Sequence, residues 1–392
     1  MNDVPAILAV QLAWTMMAAP ILLVKVVGTR IPLPDGDNWP DVAARRWALR
    51  TAVGWMIGLG VAFFVVAVYC RPAWPLSLMS LPIMAAGLWL TCRSLQRLDE
   101  RLLGRVSKEG ELRYYLLLAV EGATGLTGIV GLVLMRWIGA PGAMAAVLVV
   151  LVAAFRFHGW ILRFTGALRP LPDELEKAVR QAAGELGVPY KNSYVLFSGR
   201  NHVVNAFAMP LSGGIVFGRQ LVETFPRDEF LAVARHELAH LSHGWKRWLG
   251  PAQVICFWEV ITIAAWLGHS LNVMQWLACI AVFYVVLSHA TRFIARRLED
   301  DTDELASAGG DNRESLARAL IRLHRTGLIP VQFRLPASHN SLPSRVAALA
   351  PALVSEIPQT QAAGQGNWIV PFFLLVLVLV PQAFAYYVLL FE

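Results

Sequence analysis

The run Arg235-His236-Glu237-Leu238-Ala239-His240 sets two imidazoles four residues apart with a carboxylate between them. Four residues advance an α-helix by a little over one turn, so His236 and His240 share a face that can bind one Zn²⁺, with Glu237 beside it. The flanking residues predict such a helix. Thr224-Phe225-Pro226-Arg227-Asp228-Glu229 supplies an early proline and acids in the first turn, and Phe230, Leu231, Val233, Ala234, Leu238 and Leu241 supply an apolar face. A buried helix carrying HExxH is the pattern of a zinc-dependent peptidase.

Outward from this helix the chain is strongly apolar. Of 392 residues 56% are hydrophobic and only 16% charged, and the mean hydropathy is +0.52, outside the usual range for a soluble protein of this size. Apolar runs near 5–28, 51–70, 74–92, 114–135, 137–157, 251–268, 272–290 and 368–390 are each long enough for the bilayer's hydrocarbon core, which predicts about eight transmembrane helices. The seven excess positive charges do not read as a nucleic-acid footprint, because they gather in alternate connections. Arg30, Arg45, Arg46 and Arg50 flank the first, and Arg93, Arg97, Arg101, Arg105, Lys108 and Arg113 fill the third. The positive-inside rule then puts these connections, and with them the HExxH segment, on the cytoplasmic side. No cationic segment precedes the first apolar run, so it reads as an anchor rather than a signal peptide. Cys70, Cys92, Cys256 and Cys279 lie in or beside spans without metal-type spacing and read as small packing residues. Arg far outnumbers Lys, which points to a GC-rich prokaryote and hence a bacterial inner membrane.

The organisation read from the sequence is a five-span region over 1–160, a first protease segment over 161–250, a membrane hairpin over 251–291, a second protease segment over 292–358, and a linker with a last span over 359–392. Glu121 and Glu259 are ionisable groups inside spans, where they either line a hydrated cavity or bond to a neighbouring helix. After Trp160, Asp173 is the expected cap of a soluble helix ending near Gly187, with Glu176 completing a capping box. Short strands are predicted at Tyr194–Phe197, Val203–Ala208 and Gly214–Phe217. Further helices are predicted through Leu298–Ala306 and over about 312–326.

A catalytic zinc needs three protein ligands and an open position, so a third donor must come from elsewhere in the chain. Glu299 suits this, because Asp303 four residues on can then hydrogen-bond a ligand imidazole. On spacing alone Asp300 or Asp301 would serve, and the acid-rich run 299–304 also fits a solvated helix face. His243 lies about 10 Å along the helix axis from His236 and is set aside.

Three segments, His236-Glu237-Leu238-Ala239-His240, Arg296-Arg297-Leu298-Glu299 with Asp303, and Asn205-Ala206-Phe207-Ala208, resemble the membrane zinc metallopeptidases of the HtpX and CAAX-prenyl-protease family, which are gluzincins. The segment Ser338-His339-Asn340-Ser341-Leu342-Pro343-Ser344-Arg345 resembles that family's His-Pro-Pro-x-x-x-Arg element, and the likeness covers about 168–350. It implies His236, His240 and Glu299 as ligands of one zinc per chain, Glu237 as general base and Asp303 as the orienting carboxylate. It also implies that Asn205, His339 and Arg345 contact substrate or the developing oxyanion. Thr302 stands where the family usually has Ala, and Asn340-Ser341 where it has Pro-Pro.

The fold expected is therefore a mainly α integral membrane protein with a cytoplasmic α+β zincin-type domain split by a membrane hairpin. The implied partners are a peptide or protein substrate and the lipid bilayer, with no nucleic acid and no oligomeric state indicated. The segment around Asn205 or the strand at Gly214–Phe217 could hold an extended substrate by β-augmentation. The competing class is a membrane scaffold or transporter with a relict metal site, which the intact Glu237 and the Glu299/Asp303 pair argue against.

Overall fold

A computed structural model describes residues 4–69, 74–104, 141–153, 166–197, 204–209, 212–242, 273–308, 311–332 and 340–358, with isolated positions across 138–164 and 252–259. They fall into two compact units, one built on residues 1–104 with short later segments, the other on 105–327 and 331–357.

The first unit contains α1 (Val4–Gly28), α2 (Trp39–Tyr69) and α3 (Trp74–Leu103). Gly60 and Gly87 let α2 and α3 close on α1, since a Cβ on either would come within 3.1 Å of Met16 or Met17. Both α2 and α3 run well past their apolar stretches, so basic residues expected in connections are helical. Arg46 Nε donates to Asp99 Oδ1 at 2.9 Å and Arg50 pairs with Oδ2 of the same carboxylate. Arg101 donates to the carbonyls of Gly28, Thr29 and Ile31 at 2.6–3.0 Å, satisfying acceptors at the end of α1. Among the described residues no helix is long and apolar enough to cross a membrane. The runs 114–135 and 368–390, and all but isolated positions of 251–268, lie outside those residues, as does Glu121; Glu259 is a half-buried helical position.

The second unit is a small sheet flanked by helices. Its strands are β1 (Leu168–Pro170), β2 (Asn192–Leu196), β3 (Ala206–Met209) and β4 (Gly214–Gly218), in the order β1-β2-β4-β3. β4 runs parallel to β2 and antiparallel to β3, and all five of its residues are buried. An interior strand with both edges paired cannot add a peptide, so the expectation that Gly214–Phe217 might do so is corrected; the edge strands are β1 and β3, and β3 is the one beside Asn205. One sheet face carries Phe217 against Phe230, ring centroids 4.8 Å apart. The other carries Tyr194, Leu196, Met209 and Val216, closed by Leu162, Ala167 and Leu168.

Helices described in this unit include α4 (Asp173–Leu186), α5 (Arg219–Thr224), α6 (Arg227–Leu241), α7 (Val273–Ala306), α8 (Asp311–Gly327) and α9 (Leu342–Leu349). α4 ends as expected at Gly187, whose φ of 63° suits a residue without Cβ. Its start differs from the expectation. The N-cap is Pro172, Asp173 is already helical, and no capping box forms. Glu176 turns away to accept from Ser193 Oγ at 2.5 Å and the Tyr190 hydroxyl at 2.7 Å, bonds that tie α4 to β2 and outweigh a solvent-facing cap. α7 is the second difference: the expected hairpin arm at 272–290 and the helix at 298–306 form one helix of 34 residues, since no Gly or Pro interrupts 273–306.

Candidate active site

α6 is buried over most of its surface, including His236 and Glu237. Its apolar residues meet the sheet, and its buried Glu229 receives Arg322 of α8 through two hydrogen bonds of 2.6 and 3.0 Å. A two-bonded guanidinium–carboxylate pair fixes rotation as well as distance, so α6 is locked about its own axis. That lock decides where its two imidazoles point.

They point at α7. His236 Nε2 and His240 Nε2 lie 3.2 Å apart, and Glu299 places Oε2 3.5 Å from the first and Oε1 3.4 Å from the second. One donor atom from each of the three residues can be chosen so that all lie within 4.8 Å of one another. Zinc bonds of about 2.0–2.1 Å in a tetrahedron imply edges of about 3.3–3.4 Å, so these separations suit a single zinc with a fourth position left for water. Two imidazoles and one carboxylate are also a donor set that zinc takes in catalytic sites.

Behind this trio stands a carboxylate relay. His236 Nδ1 is 2.9 Å from Asp303 Oδ1, and Arg345 of α9 donates to both oxygens of Asp303 at 2.7 and 2.8 Å. The arrangement leaves Nε2 facing His240 and Glu299, where it could serve a metal. Burial alone would depress the His236 pKa; hydrogen bonding with Asp303 and Glu299 and the charges of Glu237 and Glu299 outweigh it and raise the value to about 9. Burial alone would raise Asp303, yet hydrogen bonds from His236 and Arg345 and their charges hold it at about 2.

Arg345, expected at the substrate or developing oxyanion, has its guanidinium on Asp303, with its side chain only 9% exposed and its Nη2 4.0 Å from Glu299. Buried charge next to a carboxylate is the physical reason, since the fork finds both its acceptors there. Asn205 is exposed one residue ahead of β3, its carbonyl accepting from the Gly218 N–H at 2.7 Å. His339 lies outside the described residues.

Three contacts were not legible from sequence. Glu237 Oε2 accepts from the Ala208 N–H of β3 at 2.8 Å. Thr302 Oγ1 stands 3.4 Å from His240 Nδ1 while donating to the Leu298 carbonyl at 2.6 Å. Asn340 Nδ2 donates to Asp300 Oδ1 at 2.6 Å. The departures at Thr302 and Asn340 were the only sequence signals.

Comparison with known proteins gives the same region a lineage. Residues 171–352 match peptidase family M48. The fold is similar to the crystal structure of S. mikatae Ste24p, with a TM-score of 0.57 and 18% identity over 88% of this chain and 98% of that one. No curated protein matches.

Proposed function

We propose, from the premise that residues 171–352 form a peptidase family M48 domain and make this chain a metallopeptidase, that it is an integral-membrane zinc endopeptidase of the bacterial inner membrane with its active site on the cytoplasmic face. The convergence of His236, His240 and Glu299, with Asp303 behind the first imidazole, is the observation that carries this reading. About eight spans, a protease domain split by the 251–291 hairpin and a part in processing or quality control of membrane proteins complete it. The apolar composition and the fold-level likeness to Ste24p support the membrane setting.

His236, His240 and Glu299 would hold one zinc ion per chain. Bound there, zinc supplies Lewis acidity towards a carbonyl and lowers the pKa of a water ligand towards neutrality. Asp303 keeps His236 oriented for this task, and Arg345 keeps Asp303 ionised and in place. Glu237 takes the proton of the attacking water and passes it to the departing amine. An extended peptide lies along the open edge of β3, with Asn205 and His339 beside it, so recognition follows backbone shape and access more than a deep side-chain pocket.

The decisive measurement is casein-peptide cleavage by Glu237→Gln in the full chain. Zinc content should stay near one per chain while cleavage falls by about two to four orders of magnitude. Zinc binding with no proteolysis by the unaltered protein in any substrate panel would favour a scaffold instead.

A further inference from the structure

We infer that the backbone N–H of Ala208 is a positioning donor for Glu237, selecting which carboxylate oxygen handles the proton in peptide hydrolysis. This rests on the reading of Glu237 as general base and adds a group outside the HExxH helix to its machinery.

The register of β3 is the starting point. Phe207 lies opposite Val216, Met209 opposite Gly214, and the Asn205 carbonyl accepts from Gly218 N–H. Peptide groups alternate sides along an antiparallel strand, so those of Ala206 and Ala208 turn away from β4 towards the open edge. An outward N–H on an edge strand has no sheet partner and ordinarily meets water or an added strand. In Ala208 it is instead donated to Glu237 Oε2 at 2.8 Å, from a strand held by the sheet to a helix held by Arg322. Both ends of this bond are therefore fixed by packing elsewhere, and the carboxylate plane between them is fixed too.

With Oε2 anchored, Oε1 is the oxygen that carries the proton. As the water oxygen bonds to the scissile carbonyl carbon, its O–H bond breaks and the proton goes to Oε1. The same proton then goes to the amide nitrogen as the C–N bond breaks, which restores the carboxylate and leaves an acid and an amine from one water. The Ala208 N–H is withheld from the substrate, whose pairing along β3 falls to the other outward groups, the N–H of Ala206 and the carbonyls of Ala206 and Ala208.

Ala208→Pro tests this. Proline at an outward edge position removes this one donor and no bond of the β3–β4 ladder. In the full chain in detergent, zinc affinity measured by chelator competition should be unchanged while kcat on a fluorescent casein peptide falls about 10- to 100-fold. Affinity for that peptide, measured in the Glu237→Gln background, should be the same with and without Ala208→Pro. Weaker peptide binding would mean that the N–H serves substrate and would overturn the inference. A second variant reads the contact from the other side without touching the strand: Glu237→Asp draws the carboxylate back by one methylene. Its kcat should fall, through both the retracted base and the broken contact, and adding Ala208→Pro should cost little more, because the contact that it removes is already lost. Wild-type kcat in Glu237→Asp, or losses that multiply in the double variant, would overturn the inference. If Glu237→Gln itself cleaves undiminished, the general-base reading fails; if it is inactive while Ala208→Pro keeps full kcat, only the role of Ala208 fails.

Discussion

His236 faces His240 and Glu299 through one ring nitrogen and Asp303 through the other, and its protonation follows from that position. In the zinc-free protein its pKa is about 9 against an ordinary value of 6.5, so it stabilises the fold fully below pH 6.5 and loses that contribution as pH rises through 9. The contribution is on the order of 3 kcal/mol. Chelated protein should therefore melt at lower temperature as pH rises from 6.5 to 9, whereas zinc-loaded protein should not follow. Asp303 has the opposite sign: held at about 2 from 3.8, its stabilisation is present above pH 3.8 and lost as pH falls through 2. Zinc uptake at pH 7.5 should release about one proton, measured by calorimetry in buffers of different ionisation enthalpy. Arg345→Met strips a buried carboxylate of its cation. It should cost about 3–5 kcal/mol of stability. It should also weaken zinc binding about 10- to 100-fold through the loss of Asp303 orientation. Unchanged zinc affinity in that variant would return Arg345 to a substrate-facing role.

The element that carries most of the site's geometry is α7. It runs unbroken through 34 residues, about 50 Å at 1.5 Å per residue, with Glu299, Thr302 and Asp303 in its last turns. Two side chains from the α9 region hold those turns: Asn340 on Asp300 and Arg345 on Asp303. Because Glu299 and Asp303 both act on His236, their separation of one turn matters more than the identity of residues between them. Inserting one Ala between Asp300 and Asp301 rotates them by about 100° relative to one another. Zinc affinity should then fall at least about 100-fold with helix content unchanged by circular dichroism, and retained affinity would show that phase along α7 is unimportant. The helices at 227–241 and 311–327 were legible from their caps and apolar spacing. β1 was not, because a three-residue Leu-Arg-Pro strand carries no alternation and becomes a strand only by pairing with β2.

For the whole molecule, the reading as an M48 metallopeptidase stands on residues 171–352, and the membrane topology stands on composition and charge placement. Alkaline carbonate should leave the protein in the membrane pellet, and detergent should be needed to extract it. For the active-site side, a cysteine placed at exposed Arg318 on α8, in a chain with Cys70, Cys92, Cys256 and Cys279 replaced, should react with a membrane-impermeant maleimide only after the plasma membrane is opened. Labelling of intact cells would reverse the orientation.

The amino-acid order alone determined the imidazole pair, the carboxylate between them and the apolar character of the chain, because helical spacing and hydropathy are local properties. It also narrowed the third donor to an acid-rich run without separating Glu299 from its neighbours by spacing. Only the packed structure decided that Glu299 faces the imidazoles, that Arg345 holds Asp303, that β3 is an edge strand and β4 an interior one, and that Ala208 reaches Glu237. Each of these depends on how one element is rotated against another, and rotation is set by long-range pairs such as Glu229 with Arg322, which no local pattern encodes.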